Sequence, residues 1–145
     1  MSIAISIDPG HKKCGLLLAD IKSGKVIKAG ISSSSRFSDL VSLWNEDYKI
    51  SKIIIGDGTH CKYIENELKQ KNFFNLNYVN ERGSTLRARF RYWEIWPPNC
   101  FLRLFPKEML FPPENLDAIV ALILLEDFFN YQFIWPNNVC IKIWP

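Results

Sequence analysis

Asp8 closes the apolar run Ile3-Ala4-Ile5-Ser6-Ile7 and is followed at once by Pro9-Gly10. Its carboxylate therefore stands at a strand end beside a tight turn, where it can hold a metal ion or a metal-bound phosphate. Two more acids, Glu81 and Asp117, recur far along the chain in settings that could bring them to the same place. Asp57, inside Gly56-Asp57-Gly58, supplies a fourth carboxylate. Carboxylates crowded together repel one another unless protons or metal ions intervene. Oxygen ligands of this kind suit Mg²⁺ or Mn²⁺. Two such ions about 3.5–4 Å apart can activate a water and stabilise the leaving oxygen of a phosphodiester.

The elements that must carry these acids are legible from periodicity. Residues 3–7 and 15–19 read as buried strands, and 25–31 as a third, entered through Lys22-Ser23-Gly24. Ser32 to Ser35 is a polar linker that offers a helix N-cap. Phe37, Leu40, Val41 and Trp44 then mark one helical face. Ile53-Ile54-Ile55, stopped by glycines, reads as a central strand buried on both faces. A helix with Ile64 and Leu68 follows, then a short strand over 76–79 and a helix from Ser84 to about Trp96, stopped by Pro97-Pro98. Residues 99–114 show no clear element, and a loop of that length is usually functional. Residues 115–131 read as a buried helix, and the tail 139–143 can form a final strand.

Hairpins between the first three strands and helical crossovers between the later ones define an α/β layered domain. The fourth and fifth strands run parallel to the first in a mixed sheet. Ligands of such sheets bind beyond the carboxyl ends of the parallel strands. Asp8, Asp57 and Glu81 follow the first, fourth and fifth strands, so all three reach one sheet edge. Asp117, in the first turn of the buried helix, can close the cluster.

With 145 residues and 48% hydrophobic content, the chain suits one globular domain spanning 1–145. No apolar run reaches the ~20 residues a bilayer span needs. The start, too short for a secretory signal before Asp8, reads as mature, and the cytoplasm is the expected compartment. Cys14, Cys61, Cys100 and Cys140 form no C-x-x-C pair and read as buried thiols; His60-Cys61 is weak evidence for a metal. The net charge is +3, yet from Arg82 to Lys107 five arginines and one lysine face the single acid Glu94. That local excess suits a phosphate-binding surface, and a solvated helix face would look the same.

Three segments together carry a resemblance. Asp8-Pro9-Gly10 with Lys13 and Gly15 fits D-x-G-x-x-K-x-G, the opening of the YqgF/RuvX family in the RuvC-like branch of the RNase H-like fold. Asn80-Glu81-Arg82-Gly83-Ser84-Thr85-Leu86-Arg87-Ala88 resembles its D-E-R-x-[ST]-T-x-x-A segment, with Asn80 where Asp is usual. Asp117-Ala118-Ile119-Val120-Ala121 resembles its closing D-x-x-A-A helix, with Val120 departing from Ala. Gly56-Asp57-Gly58-Thr59 departs from the commoner Gly-Leu-Pro.

The resemblance implies an RNase H-like mixed five-stranded sheet in the order 3-2-1-4-5, its first three strands antiparallel, flanked by helices. It implies Asp8, Glu81 and Asp117 as catalytic, metal-binding acids, with Asp57 as a possible fourth ligand of Mg²⁺ or Mn²⁺. Lys13, Arg82, Thr85, Arg87 and Arg91 would contact nucleic acid. The implied activity is a divalent-metal-dependent endonuclease on structured nucleic acid, a monomer or homodimer, trimming precursor ribosomal RNA ends or resolving branched DNA; the former is the favoured reading.

Plainer readings stand beside these. Asp8 could cap its turn, Glu81 could pair with Arg82, and Asp117 could serve only the helix dipole. Lys13 could be an exposed turn lysine, and His11 is as readily exposed as catalytic. Arg91 could pair with Glu94 three residues on. Tyr92, Trp93 and Trp96 could stack bases, although Trp93 shares a face with Leu86 and Phe90 and suits the core better. The chain could be a non-catalytic nucleic-acid binder. A kinase-like nucleotide site would require a second lobe.

Overall fold

The computed structural model describes residues 2–112 and 116–144. Three hairpin-connected strands come first, β1 (Ile3–Asp8), β2 (Lys13–Asp20) and β3 (Lys25–Ser33). They are followed by α1 (Phe37–Tyr48), β4 (Lys52–Gly56), α2 (Cys61–Gln70), β5 (Leu76–Val79), α3 (Ser84–Ile95), α4 (Asp117–Phe129) and β6 (Ile141–Trp144). β1, β2 and β3 pair antiparallel, whereas β4 pairs parallel to β1 and β5 parallel to β4. The order β5-β4-β1-β2-β3-β6 contains the expected 3-2-1-4-5 and adds a sixth strand. The five-stranded expectation is corrected by the tail, which returns to lie parallel to β3 with Ala29 opposite Ile141. It pairs backbone groups that an open β3 edge would leave bare.

The period of two along β1 and β2 divides the core between the two sheet faces. Ile3, Ile5 and Ile7 join Leu16 and Leu18 against Phe37 and Trp44 of α1 and Ile64 and Leu68 of α2. Ala4, Leu17 and Ala19 meet α3 and α4 on the other face. Burying each Leu or Ile there stabilises the fold by about 1.5–3 kcal/mol relative to leaving it in water. Small residues on the second face let α4 lie close to the sheet. At Gly15 a Cβ would collide with the backbone carbonyl of Asp117. The glycine of the opening motif is thus what allows α4 to begin directly over β2.

A charged bridge joins α3 to α4. Arg91 donates from Nη2 and Nε to Glu126 Oε2 and Oε1 (3.0 and 3.1 Å) and from Nη2 to the Phe133 carbonyl (2.8 Å). Glu126 Oε2 also accepts from the Phe133 backbone N–H (2.7 Å), and both charged side chains are buried. Nearby Arg87 makes a two-pronged pair with Asp127 (2.6 and 2.7 Å) in a more exposed setting.

Several expectations change. The serine linker does not cap α1: the residue at its N-cap is Arg36, with no side-chain cap. β3 runs on through Ser33, and Ser34 turns to the β1–β2 connection instead, its hydroxyl donating to the Gly10 carbonyl (2.9 Å). The proline-rich segment holds two short 3-10 turns, Leu102–Leu104 and Lys107–Met109, while its residues 113–114, and the expected helix start at Asn115, lie outside the described residues. Of the four thiols only Cys14 is buried; Cys61 is half-buried, and Cys100 and Cys140 are exposed because they sit in connections rather than packed elements. Among the described residues no helix is long and apolar enough to cross a membrane.

Removing Arg91 leaves Glu126 as an uncompensated buried charge, so Arg91→Ala should lower unfolding free energy by about 3–5 kcal/mol. Arg87→Ala, at the exposed pair, should cost about 1 kcal/mol or less. Urea unfolding of the two variants checks this ordering; equal effects would refute it.

Candidate functional site

β1 and β4 deliver Asp8 and Asp57 to the same end of the sheet, and β5 delivers Glu81 just beyond Val79. Because β4 lies between β1 and β5, the Asp8 and Glu81 strands are two spacings apart, about 10 Å. The side chains close that gap. Asp8 and Glu81 are in hydrogen-bonding contact, and Asp8 also feels the charge of Asp117. Burial, then repulsion from Glu81 and Asp117, pushes the Asp8 carboxyl up to about 8. Glu81 is raised by burial and by the charge of Asp57, with its contact to Asp8 acting in the opposite sense. Asp117 is raised by burial and partly restored by Lys13, whose Nζ stands 3.8 Å from Oδ2.

The local backbone is built around Glu81. The Asn80 side-chain oxygen accepts from the Arg82 N–H (2.7 Å), an Asx turn that presents Glu81 at its apex. An amide oxygen performs this task as an aspartate would, so Asn80 keeps the turn while removing one negative charge from a crowded edge. Asp57 Oδ1 accepts from the Glu81 N–H (3.1 Å), and the Asp57 N–H donates to the Val79 carbonyl (2.9 Å). A Cβ at Gly56 or Gly58 would run into the Glu81 carboxylate. Gly56-Asp57-Gly58 is therefore a seat for Glu81, a role the sequence concealed because its three residues contact a segment some twenty positions away. Gly83, with φ 72°, then takes the left-handed conformation that turns the chain into α3.

On the other side, Gly10 permits the sharp return from Asp8 to β2, since a Cβ there would strike the Lys13 carbonyl. Lys13 is the first residue of β2 rather than a free turn residue, which is how its ammonium comes to face Asp117. His11 and His60, from the connections after β1 and β4, bring their rings together with centroids 5.1 Å apart.

The cationic residues divide. Arg82 and Thr85 are exposed at the start of α3, next to Glu81. Arg87 is exposed but engaged by Asp127. Arg91 is corrected from a phosphate contact to a structural residue, because its guanidinium is buried and held by Glu126, Glu94 and the Phe133 carbonyl. Tyr92 and Trp93 are also inside, and Trp96 packs edge-on against Trp135. Leu86, expected on the face of Trp93, points to solvent instead.

The donor set fits a hard divalent cation. It is all carboxylate, and Oε1 of Glu81 and Oδ2 of Asp117 are buried without a hydrogen-bond partner. Among the described residues no group of three or more His, Cys, Asp or Glu side chains is gathered closely enough to hold a metal ion as they stand. The acids line an open edge instead, Asp8 against Glu81 and Asp117 against Lys13.

No family model and no curated protein matches the sequence. Solved structures do match, and three of them are similar at low identity. Fowlpox virus resolvase, solved with a substrate Holliday junction DNA, is 15% identical over 88% of this chain and 97% of that one, with a TM-score of 0.54. The T. thermophilus RuvC complex with a Holliday junction substrate is 11% identical over 92% and 100%, TM-score 0.52. The large terminase nuclease of a thermophilic phage is 15% identical over 90% and 83%, TM-score 0.51. The chain shares the mixed α/β fold of these resolvases, here with a six-stranded sheet.

The folded protein holds a proton on Asp8 that the unfolded chain releases near 3.8. Its stability should therefore fall as pH rises from about 4 to about 8, through the window between the unfolded and folded values. Urea unfolding in chelator across that range should show wild type losing stability relative to Asp8→Asn, with the variant the more stable above pH 8. Parallel profiles would contradict the crowding of the three acids.

Proposed function

We propose that the chain is a divalent-metal-dependent nuclease of the RuvC-like type, hydrolysing phosphodiester bonds in structured nucleic acid. The observation that carries this reading is the convergence of Asp8, Glu81 and Asp117 on one sheet edge, in a setting that holds their carboxyls above the ordinary range. Crowded carboxylates repel one another unless protons or a cation intervene, so a divalent ion could take the place of the proton on Asp8. Asp8, Glu81 and Asp117 would hold the cation, and Asp57, whose Oδ1 accepts from the Glu81 N–H, would be a fourth donor through its other oxygen. When bound, such an ion supplies Lewis-acid activation of water and charge stabilisation at the leaving oxygen.

The protein's own groups do the rest. Lys13 offsets the charge of Asp117 and can contact a phosphate oxygen from the same position. Arg82 and Thr85, exposed beside Glu81, can neutralise and hydrogen-bond the strand being cut, while Arg87 can do so only by sharing its charge with Asp127. The Asn80 and Asp57 hydrogen bonds keep Glu81 oriented.

The motif resemblance to the YqgF/RuvX family supports processing of precursor ribosomal RNA ends. Branched DNA is the second reading, supported by the two similar structures solved with Holliday junctions.

Cleavage assays with Mg²⁺ or Mn²⁺ on a precursor ribosomal RNA end, a four-way DNA junction and plain duplexes test this. Cleavage of one substrate by wild type and none by Asp8→Asn is expected. Full activity in Asp8→Asn, or binding without cleavage by both proteins, would sink the nuclease assignment.

A further inference from the structure

Of the aromatic residues expected to meet bases, Tyr92 and Trp93 are buried and Trp96 is half-buried against Trp135, yet a different set is outside. Within the segment 101–111, Phe101, Leu104, Phe105, Met109 and Phe111 are all exposed, with Leu104 at 80% and Phe111 at 74%. Apolar side chains so concentrated on a surface mark an interaction site rather than chance exposure. The segment is anchored: Leu110 is buried in the α3–α4 core, and Arg89 Nη2 donates to the carbonyls of Glu108 and Leu110 (3.1 and 3.4 Å). Phe111 lies over the Arg89 guanidinium, 4.2 Å from ring centroid to Cζ, and Phe101 meets Phe105 edge-on at 6.0 Å.

What such a surface would take is decided by the charges between its rings. Arg103 and Lys107 alternate with the phenylalanines and outnumber the one acid of the segment, Glu108, and neither forms an ion pair among the described residues. Rings interleaved with unpaired cations suit a polyanion that carries flat apolar faces. The location agrees, since the segment is held to α3, the helix that starts just after Glu81, through Arg89 and the carbonyls of Glu108 and Leu110. We propose that residues 101–111 form a stacking platform for unpaired bases of the strand approaching the carboxylate edge, so that the substrate class is nucleic acid with single-stranded or splayed nucleotides near the cut. This rests on the nuclease reading for its partner but not for its readout, which is binding without metal.

The experiment uses the full chain in chelator and compares three short fluorescent ligands of equal phosphate number: a single strand, the same strand with abasic sugars, and a blunt duplex. Each stacked base should contribute roughly tenfold in affinity, so the ordinary strand should bind at least about tenfold tighter than the abasic one. Phe101→Ala/Phe105→Ala should remove most of that difference and leave duplex binding unchanged. Equal affinity for ordinary and abasic strands overturns the platform, whatever the protein cuts. So does a variant that loses only self-association in sedimentation, or only binding to anionic lipid vesicles. Base-dependent binding by a protein that cuts nothing would keep the platform and overturn the nuclease reading alone.

Discussion

Repulsion among Asp8, Glu81 and Asp117 is the constraint around which this fold is arranged. Each is partly removed from water, and Asp8, most deeply placed, keeps its proton to about 8 because neighbouring acids and burial oppose its charge. Such a cluster lowers stability unless something compensates, so the scaffold must hold it in place by other means. Glycines do much of this. Gly15 lets the start of α4 rest on β2, Gly10 lets β1 return into β2, and Gly56 and Gly58 leave the volume that the Glu81 carboxylate fills. None of these positions would accept a methyl group without displacing a site residue or its backbone.

The second requirement is that α3 and α4, which start at Ser84 and Asp117, stay in register with each other. Their apolar contact is reinforced by the Arg91–Glu126 bridge, closed by both backbone groups of Phe133. A buried ion pair brings little net stability but tolerates no unpaired partner. It therefore fixes one alignment of the two helices, and with it the separation of Glu81 from Asp117. The arginine-rich stripe of α3 is in this sense half structural: buried Arg91 and exposed Arg87 are both engaged by acids of α4, whereas Arg82 is exposed beside Glu81.

Much of this was legible before the structure, for identifiable reasons. Ile3 to Ile7 and Ile53 to Ile55 are β-branched runs that end abruptly at Asp8 and Gly56, so strand type, direction and the shared edge followed from local pattern. Asp117 announced itself by opening an apolar helix. Other features depend on contacts between distant segments and leave no local mark. Asp57 reads as one more acid of the shared edge, and only its contact with the Glu81 N–H shows that it also orients Glu81. Arg91 reads as one more surface cation until Glu126, thirty-five residues away, is placed against it. Ser34 looks like a cap for the helix that follows, but the Gly10 carbonyl claims its hydroxyl. β6 was visible only as a short apolar tail whose pairing partner, β3, is fixed by the tertiary fold. The loop after Pro98 read as functional from its length alone, but which of its phenylalanines face solvent is decided by packing on α3.

In the proposed function the crowded carboxylates are completed by a divalent cation. Calorimetric titration of Mn²⁺ near pH 7, in buffers of different ionisation enthalpy, tests it most directly. Binding that releases about one proton, and that disappears in Asp8→Asn, is the result expected when a cation displaces the proton held on Asp8. Absence of binding in wild type, or binding of equal strength and proton count in the variant, would contradict it.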